Sequence, residues 1–266
     1  MNRNSSPLRP ALALALLCSV AAPTFAGPPG GSNTGGSAGV VLIDQAKAES
    51  GGVTPGDVAG FPVTISQPGN YRLAGPLTVS DANVSAIVIA SDNVTLDLNG
   101  YTLQGPVSCT GLGAQKSCAP LGVGDGIQAV GRSGIALHGG RVRGFAFGVQ
   151  IGARNAVEGV FVSHNSKHGI SAAGDSRIHG NSVFNNGWSG IFAIGSLITN
   201  NTVTDNRVHG IATDDGGLVL DNKLTLNGGW GLTGSSGFAR NSFIQNQAPY
   251  SNSALAIGPN WCGVIC

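Results

Sequence analysis

The chain has 266 residues and a formal net charge of +1; only 10% of its residues are charged, whereas 43 are glycine. The near-neutral charge removes the electrostatic basis for nucleic-acid binding, so we expect no nucleic-acid partner. The glycines follow no three-residue period, which excludes a collagen-like chain. A hydrophobic content of 41% is enough to build a folded core.

Residues 1–26 are predicted to be a signal peptide. Arg3 and Arg9 precede the apolar stretch "ALALALLCSVAA" (11–22), which is too short to span a bilayer comfortably, and the small residues in "TFA" (24–26) predict cleavage after Ala26. Cys18 raises a lipid-anchored signal as an alternative, but Leu17 is larger than the residue that such signals require before the cysteine. We therefore expect an exported protein, secreted or periplasmic, with no membrane span.

A repeat of about twenty residues runs through most of the chain. A glycine followed by an aliphatic residue recurs in steps of 22, 21, 21, 20 and 21 residues, at Gly126, Gly148, Gly169, Gly190, Gly210 and Gly231. One asparagine column keeps the same period, at Asn165, Asn186, Asn206, Asn227 and Asn246, and a second contains Asn181, Asn201, Asn222 and Asn241. A period of this length predicts a solenoid.

Each repeat holds three short β-branched runs separated by Gly, Asn, Asp and Ser, which is typical of strands joined by turns. Leucine-rich repeats have a similar period but need several leucines per unit, which these units lack. The sequence therefore predicts an all-β, single-stranded parallel β-helix of about eight coils. The asparagines are expected to occupy left-handed turns and to hydrogen-bond the asparagines of the coils above and below.

The segments "NSVFNNGWSGI" (181–191) and "NTVTDNRVHGI" (201–211), with the opening coils "TISQPGNYRLAGPLTV" (64–79) and "AIVIASDNVTLDLNGYTLQG" (86–105), carry a family resemblance. They resemble the right-handed parallel β-helix repeat proteins of the pectate-lyase-like superfamily. The similarity covers roughly residues 60–260. It implies polysaccharide substrates bound along the outer face, over the strand that starts at Gly-Ile and the turn before it.

The remaining segments predict the domain organisation. Residues 27–39 form a flexible linker, 40–60 an N-terminal cap with a short amphipathic helix, 61–258 the β-helix and 259–266 a C-terminal cap. The stretch 106–123 interrupts the repeat and is expected to project from one coil as a loop. We expect local disulfides, Cys109 with Cys118 and Cys262 with Cys266, although three connectivities are possible. Zinc is the alternative, but no histidine lies at ligand spacing.

The turn residues of the most charged coil are candidates for catalysis. Asp205, Arg207 and His209 offer an acid, a cation and a titratable imidazole, and His168 occupies the same column as His209 roughly 10 Å away. The resemblance implies a lyase, hydrolase or epimerase. Only one carboxylate, Asp214, lies on the predicted face, which disfavours a calcium-dependent lyase, and we predict no metal or cofactor. A solvated turn without function is the alternative interpretation.

A second set of residues is predicted to bind substrate. Trp188, Phe192 and Trp230 fall at turn or outward positions, where exposed aromatic rings can stack on sugars, and Lys167 and Asp214 lie beside them. Packing between neighbouring turns is the alternative. The sequence thus leaves two hypotheses, a polysaccharide-acting enzyme or a non-catalytic surface or adhesion-type β-helix that binds a glycan or a protein. In either case we expect a monomer.

Overall fold

The computed structural model describes residues 39–263, which form a parallel β-helix built from three sheets. Sheet A contains Val41–Ile43, Gly69–Leu73, Val94–Asp97, Ala136–His138, Ala156–Glu158, Arg177–His179, Leu197–Thr199, Leu218–Leu220, Gly237–Ala239 and Leu255–Ala256. Sheet B contains Val63–Ile65, Ile87–Ile89, Ile127–Ala129, Val149–Ile151, Ile170–Ala172, Ile191–Ile194, Ile211–Asp214, Trp230–Gly234 and Ala248–Tyr250. Sheet C contains Leu77–Thr78, Thr102–Gln104, Arg141–Arg143, Phe161–Ser163, Ser182–Phe184, Thr202–Thr204, Lys223–Thr225, Ser242–Ile244 and Trp261–Cys262.

The predicted parallel β-helix is confirmed, but the predicted number of about eight coils is too low. The described residues wind through about ten turns, since sheet A alone has ten strands. Strands at both ends depart from the repeat in sequence and still pair with it: Val41–Ile43 lies against residues 71–73, and Trp261–Cys262 lies against residues 242–243. Hydrogen bonding between backbones needs no particular side chain, so the pattern underestimates the length of the solenoid.

The N-terminal end carries the α-helix Gln45–Ser50. It begins after Asp44, whose carboxylate accepts a hydrogen bond from the backbone N–H of Lys47 at 2.8 Å. This side-chain cap satisfies one of the donors that the first helical turn leaves unpaired. Within residues 39–263, no helix has the length and apolar character needed to cross a bilayer.

The interior consists of stacked aliphatic side chains from all three sheets. In sheet B the residue after each repeat glycine pairs with its equivalent in the next coil, and the whole column is excluded from solvent: Ile127, Val149, Ile170, Ile191, Ile211 and Leu232. The same register aligns the next residue of each coil in an outward column: Gln128, Gln150, Ser171, Phe192, Ala212 and Thr233. These six side chains therefore form one row along the outer surface of sheet B.

The asparagine columns form two buried ladders, as predicted. In each rung the side-chain amide donates to the carboxamide oxygen of the next coil, as Asn186 does to Asn206 at 2.9 Å. The prediction that these asparagines adopt a left-handed conformation is wrong. The positive φ belongs to the residue before each one, for example Asn185, which has φ 59° and precedes Asn186. The left-handed residue makes the corner and turns the following asparagine inward.

Residues 106–123 do not project from the coil as expected. They contain an antiparallel hairpin, Ser108–Thr110 and Ser117–Ala119, with the 3₁₀ helix Gly113–Gln115 between its strands. The predicted Cys109–Cys118 disulfide closes the hairpin. The hairpin lies against the turns of later coils, because the polar side chains described below hold it there. The second predicted pair cannot be described, since Cys266 lies outside the described residues.

Candidate functional site

Four rings meet where the turn before sheet B joins its outer surface. His168 is central: its ring centroid lies 5.3 Å from that of Phe192, 5.1 Å from that of Trp188 and 5.9 Å from that of Phe147. Phe147 and Trp188 also meet edge to face, with centroids 6.4 Å apart. We call Phe147, His168, Trp188 and Phe192 the aromatic cluster. Trp188 remains 43% exposed, so the cluster offers a ring to solvent.

Two ionisable groups lie beside the aromatic cluster. The Lys167 ammonium is 4.9 Å from the ring centroid of Phe147 and 5.9 Å from that of Trp188, which is the range of cation–π attraction. Asp125 is buried and accepts a hydrogen bond from the backbone N–H of Phe147 at 3.2 Å. Burial raises the pKa of the Asp125 carboxyl to about 6, although the hydrogen bond and the charge of Lys167 oppose the shift.

The two predicted histidines are both held in the neutral form. Burial lowers the pKa of His168 to about 4, and its Nδ1 donates to the carbonyl of Ser189 at 3.3 Å. Burial also lowers the pKa of His209, whose Nδ1 accepts a hydrogen bond from the backbone N–H of Trp230 at 3.0 Å.

The hairpin is anchored to the solenoid through one lysine. The side chain of Lys116 is fully buried, and its ammonium contacts Asp205 Oδ2 at 3.2 Å and Asn185 Oδ1 at 2.5 Å. The other carboxylate oxygen of Asp205 accepts a hydrogen bond from the backbone N–H of Gly113 at 2.7 Å. Asp205, predicted as a catalytic acid, therefore has both oxygens occupied by the hairpin.

The hairpin forms one wall of a cleft of about 530 Å³. Trp188 and Arg207 contribute from the solenoid, and Gln115, Lys116 and Ser117 contribute from the hairpin. Because Trp188 lines the cleft and also belongs to the aromatic cluster, the two features form one continuous surface. Short coils alone would leave this surface flat, and the insertion supplies the wall.

The structure thus brings together five of the predicted site residues: Lys167, His168, Trp188 and Phe192 in and beside the aromatic cluster, and Arg207 in the cleft that Trp188 also lines. Trp230 lies outside this group, and its backbone N–H donates a hydrogen bond to Nδ1 of His209. Asp214 is exposed at the end of its strand, opposite Ile194.

Several residues of the site were missed by sequence reasoning, among them Phe147 and Lys116. Phe147 precedes Gly148 as His168 precedes Gly169, so the repeat contained the signal for it. Lys116 lies in the insertion, where no repeat gives a register, and nothing in the sequence connects it to Asp205.

These features define a parallel β-helix repeat protein with an aromatic surface walled by an inserted hairpin, which confirms the predicted β-helix repeat fold. The chain belongs to the NosD family, described as "Periplasmic copper-binding protein (NosD)", whose sequence profile matches residues 78–261. No curated protein sequence matches the chain.

Two solved structures are similar in fold. One is the enzymatically active domain of bacteriophage CBA120 tailspike protein 2, at 12% identity and a TM-score of 0.37, with 74% of this chain and 41% of that chain covered. The other is the A-module of the Azotobacter vinelandii mannuronan C-5 epimerase, at 12% identity and a TM-score of 0.26, with 85% and 88% covered. The chain thus spans less than half the length of the tailspike domain.

The side chains of the described residues do not fit a copper site of the kind that the family description implies. Copper binds several imidazole nitrogens or sulfur atoms together. Within residues 39–263 no three His, Cys, Asp or Glu side chains lie close enough to share a metal ion, and Cys109 and Cys118 are joined in a disulfide. The lone pair of His209 Nδ1 accepts a hydrogen bond, and the proton of the neutral ring is therefore on Nε2. Neither nitrogen of this ring is free to bind a metal ion.

Proposed function

We propose that this chain is an exported β-helix protein that binds a polysaccharide on the surface formed by the aromatic cluster and the cleft. The observation that carries the proposal is the setting of Trp188, which is 43% exposed and held edge-on by both Phe147 and His168. A ring fixed in this way loses little rotamer entropy when a pyranose stacks on it. The predicted signal peptide and the family description "periplasmic" support export.

Polar groups surround the exposed ring on two sides. Lys167 lies over the rings of the cluster, and Arg207 reaches the cleft from the neighbouring coil. Gln115 and Ser117 line the cleft from the hairpin. Sugars present an apolar ring face bordered by hydroxyl groups, so an aromatic ring surrounded by hydrogen-bonding side chains matches their chemistry.

The geometry favours binding over catalysis. An acid or base catalyst needs access to the substrate and a pKa near the working pH. Asp205 is occupied by Lys116 and Gly113, His168 is packed among rings with its pKa lowered to about 4, and His209 accepts a backbone hydrogen bond. We therefore propose that Asp205 positions the hairpin and that His168 supports Trp188.

The test measures binding and turnover together. The mature chain is mixed with neutral and acidic polysaccharides, and bound fraction, reducing ends and unsaturated products are followed in the same samples. We expect binding without products, and Trp188→Ala should weaken it about tenfold, which corresponds to about 1.4 kcal/mol. Products that disappear in His209→Ala would establish an enzyme instead.

Phe161 provides a matched control for this experiment. It is 45% exposed on sheet C and carries the Arg141 guanidinium 5.1 Å from its ring centroid, so it is also an exposed ring with a cation. It lies outside the proposed surface. Phe161→Ala should bind like the unaltered chain, and equal losses in the two variants would refute the proposed location.

A further inference from the structure

The environment of Lys116 is unusual for a lysine. Its side chain is fully buried, and Nζ donates to the carbonyl of Gly111 at 2.8 Å, to Asn185 Oδ1 at 2.5 Å and to Asp205 Oδ2 at 3.2 Å. Burying an ammonium group is costly even when it is paired. The same contacts place an amine nucleophile directly against the carboxamide of Asn185, with the Asp205 carboxylate beside the amine.

The carboxamide of Asn185 is held between two partners, one at each end. Its Nδ2 lies 3.4 Å from Nε2 of His164, and its oxygen faces the amine of Lys116. Burial and the charges of Arg143 and Lys116 lower the pKa of His164, so its neutral ring can accept a hydrogen bond from the amide nitrogen. The two partners of the carboxamide therefore fix which end is oxygen and which is nitrogen.

We propose that Lys116 and Asn185 form an intramolecular isopeptide bond, with Asp205 as the proton carrier. Asp205 accepts a proton from the lysine ammonium, and the free amine attacks Cγ of Asn185. Nζ then passes its second proton to Nδ2, the Cγ–Nδ2 bond breaks, and ammonia leaves. The ammonia takes the proton held by Asp205 to become ammonium. The net change is a lysine ammonium and a carboxamide converted to a secondary amide and an ammonium ion, with no oxidant or reductant.

The fold supplies what this reaction needs. The hairpin and the solenoid hold the two groups in contact, which replaces a bimolecular encounter by an intramolecular one, and the burial of the Lys116 side chain limits competing water. The product removes a buried positive charge. Asp205 keeps its hydrogen bond from the backbone of Gly113 after the lysine charge is gone. The bond would tie the hairpin covalently to a coil 69 residues further along the chain.

Peptide mapping of the full mature chain tests the bond directly. After reduction and alkylation of the disulfides, trypsin should fail to cleave after Lys116. The expected product is one branched species that joins residues 73–132 to residues 178–207. Its mass should be about 17 Da below the summed masses of the uncleaved peptide 73–132 and the peptide 178–207, because ammonia has left. An asparagine that closes on its own backbone also loses ammonia, so fragment ions must place the bond between the two side chains.

Two variants separate the bond from the fold. Lys116→Arg keeps a cation for Asp205 but has no amine, and Asp205→Asn keeps an acceptor for the Gly113 N–H but cannot take a proton. Both should retain the far-ultraviolet circular dichroism of the unaltered chain; Lys116→Arg should lack the branched peptide, and Asp205→Asn should show at least a tenfold loss of it. Lys223→Arg, at an exposed strand position, is the control that should keep it.

Peptides 73–116, 117–132 and 178–207 at their linear masses in the unaltered chain would overturn the proposal. A branched peptide at full yield in Asp205→Asn would overturn the role of Asp205 and leave the bond standing. Because the readout is a covalent mass, it is independent of whether a polysaccharide binds.

Discussion

The imidazole of His168 stacks on the ring of Phe192, with centroids 5.3 Å apart and an angle of 22° between the ring planes. The two residues come from adjacent coils. His168 lies in the turn before the strand Ile170–Ala172, and Phe192 lies in the strand Ile191–Ile194 that pairs with it. Stacking removes water from the imidazole, and this burial lowers the pKa of His168 to about 4. The aromatic cluster thus couples a flat apolar surface to a histidine that stays neutral above pH 5.

His168 and Asp125 should oppose each other in the pH dependence of stability. The folded-state pKa of His168 is depressed, so its contribution is present above pH 6.5 and is lost as the pH falls through about 4. The pKa of Asp125 is raised to about 6, so its contribution is present below pH 3.8 and is lost as the pH rises through about 6. Between pH 4 and 6 the two changes have opposite signs and partly cancel.

The variant Asp125→Asn should expose the contribution of His168. The asparagine oxygen can still accept from the Phe147 N–H, but no buried carboxylate is ionised at neutral pH. We expect a gain in unfolding free energy of up to about 3 kcal/mol at pH 7, and a steeper fall from pH 6.5 to 4 than in the unaltered chain. Urea unfolding at several pH values, taken as variant minus unaltered chain, measures this. A difference of zero at every pH would contradict it.

His168→Phe should expose the opposite slope. The substituted ring can still stack on Phe192, and the hydrogen bond to Ser189 is lost. The unaltered chain gains stability from His168 as the pH rises from 4 to 6, and the variant lacks this gain, so the unfolding free energy of the variant relative to the unaltered chain should fall over that interval. The same urea series detects it. If His168→Phe instead gains stability relative to the unaltered chain over that interval, the assigned pKa shift of His168 is wrong.

Asn186→Ala should be strongly destabilising. Asn186 is fully buried; its oxygen accepts from the backbone and side chain of Asn165, and its amide donates to Asn206. Alanine leaves these groups unsatisfied in the interior, so we expect a loss of at least about 3 kcal/mol. Thermal unfolding compared with Asn70→Ala, an exposed asparagine, provides the measurement. Similar melting temperatures for the two variants would show that the ladder adds no more than a surface residue.

The repeat made much of the site predictable. Once Gly169 and Gly190 are aligned, the positions of His168 and Phe192 follow from a fixed strand spacing, and in the structure their rings meet. The conformation of the asparagines was harder, because the same residue type suits both a left-handed corner and an inward hydrogen bond. Only the three-dimensional path shows that Asn185 makes the corner and Asn186 the ladder.

The insertion was beyond prediction for a different reason. The contact between Lys116 and Asp205 spans 89 residues and joins a segment without periodicity to one with it. The sequence identified Asp205 as a candidate acid. Whether its carboxylate can act on a substrate depends on its contacts with Lys116 and Gly113, which hold the hairpin instead. No local pattern encodes such a pairing, since it depends on where the hairpin lies on the solenoid.

The glycine that precedes each sheet B strand is required by space, and Gly190 tests this. A Cβ atom at Gly190 would lie 2.4 Å from a methyl group of Val203, 2.7 Å from Nδ2 of Asn206 and 2.9 Å from the carbonyl oxygen of Gly210. These neighbours are a core side chain, a ladder amide and backbone, none of which can move freely. We therefore expect Gly190→Ala to cost about 3 kcal/mol, the upper range of overpacking.

Gly174→Ala is the matched control for this substitution. A Cβ atom there meets nothing closer than the carbonyl oxygen of Ile194 at 4.0 Å. Alanine also restricts the unfolded chain more than glycine, so Gly174→Ala should be neutral or slightly stabilising. Urea unfolding of the two variants side by side separates crowding from backbone entropy. If both variants lose the same stability, crowding against Val203 and Asn206 is not the cause of the loss at Gly190, and the proposed requirement for space at this corner is wrong.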